Sequence, residues 1–197
     1  MILKVYDLFD SVTSGPWVET DFVQFKNEDG VLCFQCSNGI VDWIRNFDFP
    51  AVPYKRMETE YKVHAGFLEA YQLVRDEINA LDFHAIVGYS HGAALALLAC
   101  EDQAFRGRKV PTFVFGCPRV FYKPPQIVKD RTAHAIRYTS KGDIVTKVPP
   151  FYHHVGQEVL LCGKTHREEK SLLSYLSRHS PSVYRQRLLD AGLSAEI

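Results

Sequence analysis

The chain has 197 residues, of which 46% are hydrophobic and 23% are charged. This composition is typical of a soluble globular protein, and the length predicts one domain over residues 1–197. Basic and acidic residues number 23 each, so the formal net charge is zero. Because no overall field would attract a polyanion, we expect no nucleic-acid partner.

The start of the chain and its cysteines bear on the compartment. Residues 1–7 lack the basic stretch and long apolar run of a secretory leader, and no segment is long enough to span a membrane. The five cysteines are an odd number and most lie in apolar runs, as expected of reduced thiols. Cys33 and Cys36 have the spacing of a metal or redox pair, but they fall in a strand-like run without a second pair. We therefore predict a cytoplasmic protein without a metal, with export by another route as the alternative.

The first predicted elements are a hairpin and a helix. Phe22–Lys26 and Val31–Phe34 have the composition of strands, and Asn27-Glu28-Asp29-Gly30 predicts the turn between them. From Phe67 to Leu81, apolar residues recur at helical spacing, which predicts an amphipathic helix.

The most informative segment is Gly88-Tyr89-Ser90-His91-Gly92, which follows the apolar run Phe83–Val87 and precedes an alanine-rich run. This context predicts a strand, a sharp turn and a buried helix over Ser90–Glu101. Such a turn aims a serine hydroxyl at the edge of a sheet. The glycines are expected because strand and helix pass too close for a Cβ atom. Ser90 is therefore the candidate nucleophile.

Further strands and helices complete the pattern. Strands are predicted at Thr112–Phe115, Ala133–Tyr138 and around Val159–Cys162, and helical segments lie between Glu169 and Leu193. Apolar strands that alternate with helices predict an α/β fold with a mostly parallel central sheet flanked by helices. Functional sites in such sheets lie beyond the carboxyl ends of the strands, where Ser90 is expected.

A serine nucleophile needs a histidine base, and the histidine needs an acid to orient it. In this architecture the acid follows the serine along the chain and the histidine comes last. Asp143 follows the strand Ala133–Tyr138 after a short loop, whereas Asp130 precedes that strand and is expected at the wrong end. Asp143 is therefore the candidate acid, although a turn aspartate next to glycine is the alternative.

Several histidines follow Ser90 in the sequence. His179 lies in a predicted loop after the last strand, from which an imidazole can return over the edge of the sheet. His154, in tandem with His153, is the competing base. His134 within a strand is expected to be structural, and His166 lies in a charged, solvated run. Spacing alone favours His179 without excluding His154.

Six short motifs occur in a fixed order over about residues 20–190. They are Phe34-Gln35-Cys36-Ser37 with Ile40 and Trp43; His64-Ala65-Gly66-Phe67; Gly88 through Ala96; Phe115-Gly116-Cys117-Pro118-Arg119-Val120; Asp143-Ile144-Val145 with Pro149-Pro150; and His179-Ser180 with Tyr184 and Leu188. In these motifs the chain resembles the class 3, or fungal-type, lipases of the α/β-hydrolase superfamily. One such motif is weak, but six in order are specific.

The resemblance implies the α/β-hydrolase fold and hydrolysis of carboxylic acyl esters. It implies Ser90 as nucleophile, Asp143 as acid and His179 as base. It also implies an oxyanion hole formed by Ser37 and the backbone N–H of His91. This chemistry requires no metal and no organic cofactor.

The segment Asn38–Tyr54 occupies the place of the family's lid. It contains a short amphipathic stretch, predicted as a helix, and then a loop punctuated by Pro50 and Pro53. The apolar residues of the stretch include Ile40, Trp43, Ile44 and Phe47. Two alternatives are open for this stretch. It forms a mobile lid over an acyl site and makes transient contact with a lipid surface, or it forms a fixed helix that packs on the core.

Three functions are compatible with these observations. The first is a lipase or carboxylesterase that acts on a small-molecule or lipid ester. The second is a non-catalytic binding or assembly protein of the same fold, and the third is a thioesterase or acyltransferase that uses the same triad. The complete serine, aspartate and histidine set favours an enzyme. Departures from the family pattern, at Gln35, Cys36, Ala93 and Thr146, remove no catalytic group and leave the substrate open.

Overall fold

The computed structural model describes residues 4–15, 17–19, 23–35, 50–56, 59–163 and 176–193. The helices in these ranges are α1 Val5–Thr13, α2 Ala65–Asn79, α3 His91–Phe105, α4 Gln126–Thr132 and α5 Pro181–Asp190. The strands are β1 Val18–Glu19, β2 Gln24–Glu28, β3 Val31–Gln35, β4 Ala51–Arg56, β5 Thr59–His64, β6 Ala85–Tyr89, β7 Thr112–Phe115, β8 Phe121–Tyr122, β9 Ala135–Ser140 and β10 Gln157–Leu161. The predicted site residues Ser37, Ile40, Trp43, Ile44 and Phe47 lie outside the described residues.

A seven-stranded sheet organises the fold, with the strand order β1-β2-β3-β6-β7-β9-β10. The neighbours from β3 to β10 are parallel, whereas β1 and β2 add to one edge in antiparallel fashion. The predicted α/β fold with a mostly parallel central sheet is thereby confirmed. The carboxyl ends of β6, β7 and β9 lie side by side, so the loops that follow these strands meet at one edge.

Helices flank both faces of the sheet. On one face α3 buries Leu95 in the same apolar cluster as Ile86 of β6. On the other face Phe9 of α1 and Tyr184 of α5 share a cluster with Val87. Helix α3 is buried continuously over residues 92–103; its first part, to Cys100, is apolar all round, whereas the buried Glu101 and Asp102 form ion pairs with Arg131 and Arg106. In the ranges that the structure describes, no helix has the length and apolar character needed to cross a membrane.

A second, smaller sheet consists of three antiparallel strands in the order β4-β5-β8. In the chain, β4 and β5 precede β6, and β8 follows β7. The sequence-based expectation of a loop at Pro53 is wrong, because this proline lies within β4 and is paired with Lys62. Since β4 is an edge strand, the missing N–H of Pro53 removes no bond from the interior of a sheet. β5 runs directly into α2, and Nδ1 of His64 accepts the N–H of Phe67 at 3.3 Å. This bond caps the amino end of α2.

Candidate active site

Ser90 lies at the sharp turn between β6 and α3. Its φ is 59° and its ψ is −124°, a backbone conformation that residues other than glycine rarely adopt. The N–H of Ser90 donates to the carbonyl oxygen of Phe115 on neighbouring β7 at 2.9 Å. This bond ties the strained turn to the sheet and fixes the direction of the serine side chain.

Gly88 and Gly92 are required by the close approach of backbone segments. A Cβ atom on Gly88 would lie 2.5 Å from the carbonyl oxygen of Gly92 and 2.7 Å from Cα of Ala93. A Cβ atom on Gly92 would lie 2.3 Å from the carbonyl oxygen of Phe34 on β3. No side-chain rotation relieves a contact with backbone, so the role predicted for both glycines is confirmed.

His179 reaches the turn from the segment that precedes α5. Its Nε2 atom lies 2.7 Å from Oγ of Ser90, and its Nδ1 atom lies 2.7 Å from Oδ2 of Asp143. An ionised carboxylate only accepts hydrogen bonds, so the proton belongs on Nδ1. Nε2 is then free of a proton and oriented to accept the one from the Ser90 hydroxyl.

Asp143 lies in the loop that follows β9 and is buried. Its Oδ1 atom accepts the N–H of Val145 at 2.9 Å, and its Oδ2 atom accepts the Tyr184 hydroxyl at 2.7 Å as well as His179. The Tyr184 oxygen in turn accepts the N–H of Ser140 at 3.0 Å. Burial, together with the nearby charge of Asp143, raises the pKa of Tyr184 well above its ordinary value, so its hydroxyl stays a donor.

The structure therefore brings together the three side chains predicted from chain order. The alternative base, His154, is elsewhere: its Nε2 atom lies 2.8 Å from the carbonyl oxygen of Thr146. Burial lowers the pKa of His154 to about 4, which fits a neutral imidazole that donates to a carbonyl. His134 likewise approaches a backbone carbonyl, that of Val110, at 3.0 Å.

His91 begins α3, so its backbone N–H has no acceptor within the helix and is available to an anionic oxygen. Its imidazole ring packs 5.4 Å from the ring of Phe67, which lies 4.3 Å from the ring of His64. Burial lowers the pKa of both His64 and His91 to about 4. Both rings are therefore neutral at neutral pH and place no positive charge beside Ser90.

Two tyrosines contact the site in ways that the sequence did not indicate. Tyr184 binds Asp143, and the hydroxyl of Tyr89 donates to the backbone carbonyl of His179. Both residues fall in motifs singled out from the sequence, but the partner of each depends on how α5 packs against the sheet. Among the residues that the structure describes, no group of His, Cys, Asp and Glu side chains is arranged to hold a metal ion.

Comparison with known proteins decides the family. The family model for class 3 lipases matches residues 31–153, which is more than half of the chain. The chain belongs to the class 3 lipase family. This result agrees with the family resemblance and with the α/β-hydrolase fold that it implied.

Relatives of this class 3 lipase family member are found by sequence and by structure. It is 28% identical over 165 residues to the secreted mono- and diacylglycerol lipase 1 of Fusarium solani, covering 76% of this chain and 48% of that protein. It is 28% identical over 175 residues to the lipase of Rhizomucor miehei, covering 78% and 45% respectively. The crystal structure of the mono- and diacylglycerol lipase from Aspergillus oryzae matches with a TM-score of 0.64 and 25% identity, over 79% of this chain and 65% of that one. The class 3 lipase chain spans about half the length of the relatives that it matches by sequence.

The prediction of a cytoplasmic protein is contradicted by these relatives. The Fusarium solani protein is named as secreted. The count of unpaired cysteines was a poor guide to compartment because Cys33, Cys100 and Cys117 are buried free thiols. Burial raises the pKa of each to about 12, which disfavours the reactive thiolate at neutral pH.

Proposed function

We propose that this class 3 lipase family member is a serine hydrolase that cleaves carboxylic acyl esters through an acyl-enzyme. One observation carries the proposal: an unbroken chain of hydrogen bonds runs from Oγ of Ser90 through His179 to Asp143, with 2.7 Å at each step. A buried serine without such a partner is a poor nucleophile. A serine that shares its proton with an oriented imidazole is an activated one.

In the first half of the reaction Ser90 Oγ attacks the carbonyl carbon of the ester. Its proton passes to Nε2 of His179, and the resulting imidazolium is stabilised by the Asp143 carboxylate. The carbonyl oxygen becomes an oxyanion, which the backbone N–H of His91 stabilises with the positive end of α3. Collapse of the intermediate transfers the proton from His179 to the departing alcohol and leaves the acyl group on Ser90.

Water completes the cycle. His179 removes a proton from a water molecule as that molecule attacks the acyl-enzyme, and the same oxyanion site is used again. The carboxylic acid leaves and the proton returns to Ser90. An oxyanion hole normally has two donors, and Ser37 is our proposal for the second; it lies outside the described residues and stays a prediction.

The names of the relatives support a class of substrate. The Fusarium solani and Aspergillus oryzae proteins are named mono- and diacylglycerol lipases. We propose that this chain likewise acts on lipid esters of glycerol, which combine an apolar acyl chain with a polar head. A thioesterase or acyltransferase would use the same three residues, so a substrate panel is needed to separate these activities. A non-catalytic role is disfavoured because no member of the hydrogen-bonded chain is missing.

Ser90→Ala tests the nucleophile. We expect hydrolysis of monoacylglycerols, diacylglycerols and chromogenic esters to fall by at least about 10³-fold, while circular dichroism and the urea midpoint stay close to wild type. A fluorophosphonate probe should label Ser90 in the wild-type protein and leave the variant unlabelled. Ser14→Ala, at an exposed serine, is the matched control and should keep full activity. Equal turnover by the Ser90→Ala and wild-type proteins would refute the proposal.

The base is tested separately. His179→Ala should abolish ester hydrolysis, whereas His154→Ala should retain it at a temperature where the variant is folded. Loss of activity in His154→Ala alone would reassign the base. Thioesters and acceptor alcohols in the same panel show whether transfer to water is the preferred reaction.

A further inference from the structure

Two consecutive carbonyl groups in the turn of His179 accept hydrogen bonds from the last residues of two strands. The carbonyl of His179 accepts from the hydroxyl of Tyr89, which ends β6. The carbonyl of Arg178 accepts from Oγ of Ser140, which ends β9, at 3.0 Å. β6 leads directly to Ser90, and β9 leads to Asp143. The backbone of the turn is therefore tied to the two strands that carry the partners of its imidazole.

A second contact of Ser140 Oγ supports its hydrogen bond to the carbonyl of Arg178. Nη1 of Arg187 lies 2.6 Å from Oγ of Ser140 and 2.8 Å from the carbonyl oxygen of Lys141. A guanidinium group only donates, so Oγ of Ser140 accepts from Arg187. The single proton of the serine is then directed to the carbonyl of Arg178. Ser140 has no exposed surface, so water does not compete for this proton.

Tyr89 holds the imidazole ring as well as the backbone. Its ring is stacked on that of His179, with centroids 5.3 Å apart and planes 15° apart. Phe9 of α1 packs edge-on against Tyr89 at 5.7 Å. The Tyr89 ring is thus packed between Phe9 of α1 and His179, and these contacts restrict its movement. The face of its ring also favours the positive charge that His179 acquires when it takes a proton.

Such restraint matters because His179 lies outside the regular elements. Turns are more mobile than the strands they meet, yet a catalytic group must be held within about 0.5 Å of its working position. A displacement of about 1 Å can lower a rate by about 10²-fold. The hydrogen bond between the imidazole and Ser90 does not supply this restraint throughout turnover, because it is broken when the acyl-enzyme forms, and the bond to Asp143 holds the imidazole at one atom only.

We propose that Tyr89 and Ser140 are positioning residues that hold the turn of His179 in its working position relative to Ser90 and Asp143. Both hold the backbone of residues 178 and 179, and Tyr89 also stacks on the imidazole ring. The proposal rests on the function proposed above, in which His179 is the base.

Three variants separate the contacts. Tyr89→Phe removes the hydroxyl and keeps the stacked ring, Tyr89→Leu removes both, and Ser140→Ala removes the bond to Arg178. Tyr122→Phe is the matched control, since Tyr122 is partly exposed on β8 and packs against Tyr152. Rates are expressed per active site titrated with a fluorophosphonate and are measured at a temperature where every variant is folded.

We expect kcat to fall about tenfold in Tyr89→Phe and in Ser140→Ala, and further in Tyr89→Leu, with KM within about twofold of wild type. Tyr122→Phe should keep the wild-type kcat. A role in stability alone would lower the urea midpoint and leave kcat per titrated site unchanged. An unchanged kcat in Tyr89→Phe and Ser140→Ala would therefore overturn the proposal.

A second measurement does not depend on turnover. The Nδ1 proton of His179, bonded to Asp143, should give a low-field proton NMR resonance that disappears in His179→Ala. Increased motion of the turn should broaden this resonance in Tyr89→Phe and Ser140→Ala. If the wild-type protein hydrolyses no ester, the proposed function fails, and the resonance alone decides the present proposal: broadening supports it, and a wild-type line in both variants overturns it.

Discussion

The hydroxyl of Tyr184 lies 2.7 Å from Oδ2 of Asp143 and accepts the N–H of Ser140 at 3.0 Å. Because its oxygen is already an acceptor, its one proton is directed to the carboxylate. Asp143 is therefore oriented by three donors, Tyr184, His179 and the N–H of Val145. A carboxylate buried without such donors would bear a large desolvation cost.

Tyr184→Phe should lower both stability and activity. Loss of a buried hydrogen bond to a charged group costs about 1.5–3 kcal/mol, which should appear in the free energy of unfolding from urea titration. Without the Tyr184 hydroxyl, Asp143 can rotate away from His179, and we expect kcat to fall about tenfold. Tyr122→Phe again serves as control. A Tyr184→Phe protein with the wild-type kcat and unfolding free energy would show that Asp143 is held by its other donors alone.

Gly92→Ala should damage the turn at Ser90. Its Cβ atom would lie 2.3 Å from the carbonyl oxygen of Phe34, so either β3 or α3 must shift. Overpacking of this kind costs about 1–3 kcal/mol and should displace the N–H of His91, lowering kcat as well. Gly107→Ala is the control, because its φ is +84° but no atom lies within 4 Å of the added Cβ. That variant should lose about 1–2 kcal/mol from backbone strain and keep its kcat. Similar kinetics for the two variants would contradict a steric role for Gly92.

The candidate site could be predicted from the sequence because its signals are local. The turn at Ser90 is marked by glycines two residues away on each side, and Asp143 follows a strand by a few residues. The observed elements differ from the predicted ones by a few residues at their ends: α3 covers His91–Phe105 and β9 covers Ala135–Ser140. Chain order limits the base to the histidines that follow Ser90, and spacing favours His179, which the structure brings within hydrogen-bond distance of Ser90.

Other features depended on contacts distant in sequence. Helix α1 was not predicted, although its buried residues Val5, Leu8, Phe9 and Val12 have helical spacing. Pro53 predicts a loop where the structure has strand β4, and the proline is tolerated there because β4 lies at the edge of the small sheet. The contacts of Tyr89 and Tyr184 arise where α5 meets the sheet, and no local pattern specifies them.

The stability of the fold should decrease in mild acid. Burial is the main cause that lowers the pKa of His64, His91 and His154 from 6.5 to about 4. Between these values the unfolded chain binds protons that the folded protein does not, so acid favours unfolding. The contribution of these three neutral histidines to the free energy of unfolding is fully present above pH 6.5 and is lost as the pH falls towards about 4. Urea titrations across this range should show a falling free energy of unfolding.

His154→Gln isolates one of these groups. Glutamine can donate to the carbonyl of Thr146 as the imidazole does, but it does not titrate. The pH dependence of the unfolding free energy should therefore be weaker in His154→Gln than in wild type. Parallel curves for the wild-type and His154→Gln proteins would show that protonation of His154 is not linked to unfolding.

The reactivity of the thiols should differ sharply between exposed and buried positions. Cys162 is exposed, whereas Cys33, Cys100 and Cys117 are buried and have pKa values raised to about 12. Alkylation requires an accessible thiolate, so iodoacetamide at mildly alkaline pH should modify Cys162 in the native protein and spare the other three. Peptide mapping by mass spectrometry measures each site, and alkylation in concentrated guanidinium chloride should modify all of them. Cys162→Ser should remove the native-state signal from the peptide that contains residue 162. Modification of Cys117 in the folded protein would contradict its burial.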